Sequence, residues 1–464
     1  MPRQCIVLLS AVTILLAACA APRPPVGQIG NVAGFIGVVA TDEPNAALVA
    51  RDALSAGGSA VDAAVAAFFM LAVTYPAGAG IGGGGICLIY DATADVTETL
   101  EFLPARPADG GPYAVPGAVR GMATLHARYG RLRWEQLVSP AESLARFGHS
   151  ISRALSRQIA EAEDRVRAEP ELRVAFTRDD GVLKVEGETL IQVELAAALS
   201  QIRSRGVGDY YGGQAARSFA AAARAAGGKL TIDDLRNYRP SWRQTRRQEI
   251  GNLTLHTALP PPRGGNILFD LIEELRESDE PIPPARLSAA AGSAYGDIGA
   301  ELPTGGDAAL VVGDRRGSAV ACVFTMQGPF GAGKMAAGVL LAPNAPEQSA
   351  YLAPVLAVNE NVDQTFMAAA ASGGAAAPVA VARVVLGVLA ADEALPAAMA
   401  APRALNGVSA TGTTVADAGE QDAGPTDGIG RVQALWCPAG LTRQQERCTA
   451  ASDRRGSGLA LIGE

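Results

Sequence analysis

The alternation of apolar and polar positions divides the chain into short strand-like runs and longer helical segments. Apolar runs predict strands at 37–40, 86–90, 99–103, 253–257, 309–312, 319–326, 338–341, 431–436 and 458–462. Helical periodicity is found at 60–72, 119–129, 134–147, 192–203, 214–226, 266–277 and 379–389. Strands in clusters with runs of helices on either side predict an α+β fold, in which two stacked sheets are covered by helices.

Local signals refine this picture at the N-terminal end of the fold. Asp42 and Asn45 are candidate caps for a helix that begins near Ala46. The helix at 60–72 is apolar on nearly every face, which predicts a core helix too short to span a membrane.

Residues 278–306 are rich in Pro, Gly, Ser and Ala without a clear period, and they predict an exposed loop or linker.

Composition and charge exclude two classes of function. The 464 residues carry a net charge of −8 and no basic stripe, which argues against a nucleic-acid surface. Hydrophobic residues make up 48% of the chain and aromatic residues only 5%, so Ala, Val, Leu and Ile must fill the core. The histidines are far apart and have no ligand at metal-binding spacing, so we expect neither a metal site nor a cofactor; they are His126, His149 and His256.

The N-terminus predicts export. Residues 1–18 combine an early Arg with an apolar run and resemble a secretory signal peptide. The stretch 16–19 (LAAC) resembles a bacterial lipobox, which makes Cys19 the expected lipidation site and 19–30 a tether. The alternative is ordinary signal cleavage with a Cys there by chance. We expect a periplasmic protein anchored to the cell envelope by lipid only; Ala20 after the Cys resembles the pattern of outer-membrane lipoproteins.

The remaining cysteines fit an oxidising compartment. Cys5 leaves with the signal peptide, and Cys437 and Cys448 flank a short turn that a disulfide could close. Cys87 and Cys322 lie in apolar strand-like runs, so we expect them to be buried hydrophobic residues rather than reactive thiols.

Eight sequence strings occur in a fixed order from about residue 37 onward. They are AGGSAVDAAVAA (56–67), GIGGGG (80–85), VPGAVRGMATLHARYGRLRWEQLVSPAESLARFG (115–148), YYGGQAA (210–216), PPPRGG (260–265), RRGSAVACVFTM (315–326), FGAG (330–333) and SGG (372–374). Together they resemble the γ-glutamyltransferase (glutathione hydrolase) family of N-terminal-nucleophile hydrolases. The resemblance implies a four-layer αββα sandwich, with a large-subunit-like region at 31–303 and a small-subunit-like region at 304–464.

The family resemblance also implies a chemistry that needs no cofactor. Such a precursor cuts itself before a Thr, whose freed hydroxyl attacks a γ-glutamyl amide such as glutathione with its own amine as base. A pair of Gly N–H groups stabilises the oxyanion, while an Arg, an Asp and Ser residues hold the glutamate head group. The implied partner is therefore a small γ-glutamyl or related amide, which the protein would hydrolyse or transfer.

Some positions of this chain match the family's site. Gly373 and Gly374 correspond to the oxyanion pair, and Ser372 to part of the head-group contact. Gln327 stands where the family has an Asn, and it could still donate a hydrogen bond. Leu103 stands at the family's Arg position, with Arg106 nearby but off register.

Other positions depart from the family's pattern. Asp307 and Ala308 align with the nucleophilic Thr and its neighbour, and the acidic residues expected after strand 338–341 are replaced by APNAP (342–346). Thr304 lies three residues upstream and follows Pro303, which constrains the backbone at any cleavage site. Two hypotheses follow: an enzyme with a degraded motif that uses Thr304, or a catalytically inactive member that serves as an envelope binding module.

Overall fold

A computed structural model describes residues 34–276, 282–295, 305–405, 415–416 and 430–463. The signal peptide 1–18, the tether 19–30 with Cys19, and the candidate nucleophile Thr304 all lie outside these described residues. Helices and strands are numbered below in chain order.

Two antiparallel sheets form the centre of the protein. The seven-stranded sheet contains, in spatial order, β19 (Leu459–Gly463), β1 (Gly37–Thr41), β9 (Asp307–Asp314), β10 (Ala319–Thr325), β2 (Gly84–Asp91), β3 (Val96–Glu101) and β6 (Ser241–Arg243). The six-stranded sheet contains β18 (Thr449–Ser452), β17 (Arg431–Trp436), β14 (Gln364–Ser372), β13 (Val355–Asn359), β8 (Leu253–Ala258) and β7 (Thr245–Ile250). Three two-stranded pairs lie outside the sheets: β4 (His149–Ser150) with β5 (Thr189–Leu190), β11 (Met335–Ala336) with β12 (Val339–Leu340), and β15 (Ala404–Leu405) with β16 (Val415–Ala416).

Helices cover the outer faces of both sheets. The helices before the six-stranded sheet are α1 (Pro44–Ser55), α2 (Ala60–Thr74), α3 (Ala118–Tyr129), α4 (Trp134–Phe147), α5 (Arg153–Glu161), α6 (Glu163–Ala168), α7 (Pro170–Phe176), α8 (Val193–Gly212), α9 (Gln214–Ala225) and α10 (Ile232–Asn237). Those that follow are α11 (Gly264–Leu275), α12 (Pro284–Tyr295), α13 (Ala377–Leu389) and α14 (Leu395–Ala400). Within the described part of the chain, no helix is both long and apolar enough to cross a bilayer.

Apolar clusters fill the three spaces between the helix and sheet layers, and a fourth cluster includes residues of α5 to α7; this arrangement confirms the predicted αββα sandwich. Alternate residues of each central strand point to opposite faces of the sheet, as β geometry requires. In β9, Ala309 and Val311 face the other sheet, whereas Ala308 and Leu310 face helix α2 and its neighbours. Every residue of α2 is buried, as the sequence predicted.

Several elements differ from the sequence-based expectation. The central strands β13 and β14 were not predicted; β14 was missed because its run QTFMAAAAS has neither β-branched enrichment nor alternation. The strand predicted at 338–341 is reduced to the two residues of β12.

The region predicted as a linker also contains a helix. Residues 284–295 form α12, and Leu287, Ala290, Ala291 and Tyr295 are buried on one of its faces. These residues follow the i, i+3, i+4 spacing of an apolar face, a period that the small side chains of the segment obscured.

The cap of α1 is a further correction. Pro44 is the first residue of the helix, a position that Pro favours, so Glu43 becomes the cap and accepts a hydrogen bond from the Ala46 N–H at 3.0 Å. Asp42 and Asn45, the expected caps, do not cap this helix. Asp42 is directed instead between the two sheets, where it accepts a hydrogen bond from the Ala309 N–H at 2.7 Å.

Both cysteine pairs within the described residues form disulfides. The predicted Cys437–Cys448 bond is present. Cys87 and Cys322 are buried as expected, but they are bonded to each other, so their assignment as unpaired hydrophobic residues was wrong. They face each other directly across β2 and β10, a register that cannot be read from two positions separated by 235 residues.

The two disulfides differ in the length of chain that they close. Loss of a disulfide typically costs roughly 2–5 kcal/mol, and more when the closed loop is longer. Replacing both Cys87 and Cys322 by Ala should therefore lower the free energy of unfolding in urea more than the same double replacement at Cys437 and Cys448, whose separation is 11 residues. Equal losses from the two double variants would contradict the chain-entropy explanation.

Candidate active site

A group of polar side chains lies at one end of the sandwich, where the apolar layer between the sheets ends. Asp307 continues the face of β9 that carries Ala309 and Val311, and Ser372 continues the matching face of β14. Arg431 and Gln433 occupy the corresponding face of β17, alternating with Val432 and Ala434 on the helix side. The period of two therefore directs these polar groups into the space between the sheets.

The turn after β14 is held by two glycines in a left-handed conformation. Gly373 has φ 116° and Gly374 has φ 58°, and a short 3₁₀ turn then leads into α13. Glycine adopts such angles without steric cost. This turn exposes the Gly374 N–H toward β9, where it donates a hydrogen bond to Asp307 Oδ2 at 3.1 Å.

The first residue of β9 is therefore in contact with the glycine pair. Asp307 pairs with Thr325 in the β9–β10 ladder, and its side chain is 2% exposed. Burial raises the pKa of the Asp307 carboxyl to about 7, and Asp42 adds to the rise. Three groups lower this pKa, but by less than burial raises it; they are the Thr325 hydroxyl, the Gly374 N–H and Arg431.

Asp42 brings a second buried carboxylate to the same place. It accepts hydrogen bonds from the Ala309 N–H at 2.7 Å and from Gln433 Nε2 at 2.9 Å. Burial raises the pKa of Asp42, while Arg431 and hydrogen bonds, one of them from Ser372, favour its ionised form.

Arg431 is the buried cation of this site. It lies opposite Ser372 in the β14–β17 ladder, and its Nε donates a hydrogen bond to Ser372 Oγ at 3.3 Å. The sequence analysis did not assign Arg431, Asp42 or Gln433 to the site. For Arg431 and Gln433 the available signal was the alternation of polar and apolar residues in RVQALW, which is unusual for a strand buried on both faces.

A neighbouring ion group fixes the start of β17. Asp453 Oδ2 accepts hydrogen bonds from Arg403 at 2.7 Å and from the Val432 N–H at 3.1 Å. Burial alone would raise the pKa of Asp453, but Arg403 and Arg455 outweigh burial and hold it below its usual value. The backbone that carries Arg431 is thus anchored independently of any ligand.

Two other predicted site residues, Gln327 and Arg106, have different surroundings: Gln327 is buried and Arg106 is exposed. Gln327, with φ 55°, follows β10; its Nε2 donates to Ser349 Oγ at 3.0 Å, and its backbone N–H donates to Thr325 Oγ1 at 2.9 Å. Arg106 is exposed after β3 and makes no hydrogen bond or ion pair to any described residue. The structure therefore does not bring Arg106 to Ser372; the guanidinium found there belongs to Arg431.

The raised pKa of Asp307 predicts a pH dependence of stability. Because the folded protein holds this proton up to about pH 7 and the unfolded chain loses it near pH 4, the free energy of unfolding should fall as pH rises between these values. In Asp307→Asn this decline should shrink by a few kcal/mol, about 1.4 kcal/mol for each unit of pKa difference. Urea unfolding at several pH values measures the effect, with the exposed Asp233→Asn as control. Identical pH slopes in the wild type and Asp307→Asn would show that Asp307 ionises normally.

Comparisons with known proteins place this chain in a family. The sequence model described as gamma-glutamyltranspeptidase matches residues 46–280, just over half of the chain. Glutathione hydrolase 3 of Arabidopsis thaliana is 32% identical over 258 residues, covering 52% of this chain and 40% of the relative. The glutathione hydrolase proenzyme of Pseudomonas aeruginosa is 34% identical over 269 residues, covering 52% and 46% respectively.

Structural similarity extends over nearly the whole chain. The crystal structure of a cephalosporin acylase from Bacillus halodurans matches with a TM-score of 0.73 and 20% identity, covering 96% of this chain and 99% of that one, which supports the fold alone. The chain spans less than half the length of the two glutathione hydrolases. The family match over 46–280 identifies this chain as a member of the gamma-glutamyltranspeptidase family.

Proposed function

We propose that the protein binds γ-glutamyl or related amino-acid ligands in the family's pocket without hydrolysing them at the first residue of β9. The ligand class is taken from relatives named glutathione hydrolases. The observation that carries the proposal is the hydrogen bond from the Gly374 N–H to the Asp307 carboxylate.

Acyl transfer requires a nucleophile next to donors that stabilise a developing oxyanion. At the position of the family's Thr, this chain presents a carboxylate in place of a hydroxyl. That carboxylate already accepts a hydrogen bond from one of the two glycine amides, so it occupies a donor that the reaction needs. An ionised Asp307 would also repel a second negative charge forming beside it. Both effects favour binding over turnover.

A second candidate is hydrolysis or transfer through Thr304. The retained Gly373–Gly374 turn favours it, since that turn can still present backbone donors to an oxyanion. Thr304 precedes Asp307 by three residues, a reach of roughly 10 Å in extended chain. For Thr304 to attack at the glycine pair, Asp307 would have to leave Gly374.

Intact mass spectrometry and turnover of γ-glutamyl-p-nitroanilide test the two candidates together. For the purified protein we expect one unbroken chain after signal removal and no p-nitroaniline release above the buffer rate. Thr304→Ala should behave like the wild type in both measurements. Two fragments with a break before Thr304, together with turnover that Thr304→Ala abolishes, would establish the second candidate instead.

The N-terminal pattern and the disulfides support a proposal for localisation. We propose export and lipid attachment through Cys19, in a compartment where the Cys87–Cys322 and Cys437–Cys448 bonds persist. An envelope binding module would be held in place in this way, since acyl chains anchor a protein without a spanning helix.

Fractionation of a Gram-negative host that expresses the full chain tests the anchor. Cys19→Ala should move the protein out of the membrane fraction and abolish its labelling by radioactive palmitate. Cys5→Ala is the matched control and should leave both unchanged, because Cys5 is expected to leave with the signal peptide. Palmitate label that persists in Cys19→Ala would overturn the assignment.

A further inference from the structure

An open cavity lies between two helices and a hairpin. Its volume is about 670 Å³, and its walls include α7, the start of α8 and the β11–β12 hairpin. Small-molecule sites are typically concave spaces of roughly 300–1,000 Å³ with mostly apolar walls and a few polar groups. The cavity shares no lining residue with the polar group around Asp307 and Gly374, so it is a separate site and does not depend on the proposed function. Its apolar lining residues include Val174, Phe176, Ile191, Leu195, Met335 and Leu340.

The hairpin is attached to both helices that line the cavity. Gly338, in the turn between β11 and β12, has φ 77°, and a Cβ added there would lie 2.4 Å from Glu194 Cβ at the start of α8. Glycine permits both the left-handed angle and this close approach. Just before β11, Lys334 Nζ pairs with Glu169 at 2.5 Å and with Glu171 at 3.7 Å, where α7 begins. These contacts fix the positions of three walls of the cavity.

Aliphatic side chains at the cavity are exposed to solvent. Val174 is 81% exposed, Val193 59% and Ile191 55%, and all three line the cavity. Single apolar side chains scattered over a surface are ordinary, whereas a group of them around a concavity indicates a binding site. Because removing apolar surface from water is favourable, an occupant with an apolar body would be stabilised here.

The charged groups at the cavity carry a net negative charge. Among the lining residues, Glu171 and Glu194 are acidic and Lys184 is basic. Lys334 does not reverse this balance, because it is shared between Glu171 and a further carboxylate, that of Glu169. The side chains of Lys184 and Glu194 make no hydrogen bond or ion pair with any described residue. The cavity therefore favours a cationic ligand over an anionic one.

One carboxylate oxygen at the cavity has no hydrogen-bond donor. Glu171 Oε2 is shielded from solvent, yet none of the described groups donates a hydrogen bond to it. Its ion-pair partner, Lys334 Nζ, lies at 3.7 Å, beyond hydrogen-bond distance. A buried acceptor without a donor is unfavourable, so a ligand that brings an N–H group to Glu171 would be stabilised.

We propose that this cavity binds an apolar amine, a molecule with an aliphatic or aromatic body and one protonated amino group. The apolar body covers Val174, Ile191 and Val193, and the ammonium group donates a hydrogen bond to Glu171 Oε2. A fatty acid fits less well, because its carboxylate would meet two carboxylates and one ammonium group among the lining residues. A flat lipid surface would contact the exposed side chains without filling the concavity.

Calorimetric titration of the purified full-length mature chain with n-decylamine tests the proposal, with decanoate as a probe of equal chain length and opposite charge. We expect saturable binding of one decylamine per chain, at least tenfold tighter than the binding of decanoate. Glu171→Gln keeps the size of the side chain but removes its charge, so it should weaken decylamine binding at least fivefold without weakening decanoate binding. Glu274→Gln is the matched control and should change neither affinity, because Glu274 is an exposed residue of α11, which packs on the other sheet.

Ile191→Ser tests the apolar contact, with Val362→Ser as the control for loss of an exposed aliphatic side chain outside the cavity. Ile191→Ser should weaken the binding of both probes at least threefold, and Val362→Ser should change neither. Absence of saturable decylamine binding, decanoate affinity equal to or above that of decylamine, or equal effects of Glu171→Gln and Glu274→Gln would each overturn the proposal. Binding to vesicles of phosphatidylethanolamine and phosphatidylglycerol that Ile191→Ser abolishes, without decylamine binding, would assign this surface to a membrane instead.

Discussion

The site depends on one constraint, the face-to-face packing of two antiparallel sheets. In each sheet, successive side chains along a strand point to opposite faces. The sheets meet over β9, β10, β14 and β17 through small apolar residues. The same alternation that directs Ala309 and Ala370 into this layer directs Asp307 and Ser372 into its polar end. A shift of one residue in the register of β9 would turn Asp307 toward the helices and dismantle the site.

Placing charges at the end of an apolar layer has an electrostatic cost, which hydrogen bonds only partly offset. Asp42 and Asp307 are both buried and both have a raised pKa, although Arg431 favours the ionised form of each. By contrast, Asp453 between Arg403 and Arg455 has a lowered pKa at comparable burial. Both sets of carboxylates are buried, but they differ in the number of cations that lower their pKa: one Arg acts on Asp42 and Asp307, and two act on Asp453. The Arg403–Asp453–Arg455 group is compensated and anchors the fold, whereas the carboxylates beside the glycine pair are under-compensated, as functional sites often are.

The layered architecture and the location of the glycine turn could be predicted from the sequence, because they depend on local patterns and on ordered strings such as SGG at 372–374. The Cys87–Cys322 bond and the contact between Asp307 and Gly374 could not, since both are set by pairing between distant segments. Arg431 was missed for the same reason, because its contact with Ser372 joins distant segments and the local signal was only the polar alternation in RVQALW. The helix at 284–295 was obscured by Ala and Ser, whose small side chains weaken the apolar period.

The role of the first residue of β9 depends on the backbone that surrounds it. The β9–β10 ladder and the glycine turn fix where the first side chain of β9 lies, so any side chain at this position faces the Gly374 N–H. A hydroxyl there can become an acyl acceptor, because it can lose a proton and form an ester. A carboxyl group there accepts the hydrogen bond that the donor offers, and in its ionised form it attracts a cation rather than an acyl group. The Gly374 N–H then helps to hold Asp307 in place, in keeping with the proposed absence of turnover at this position.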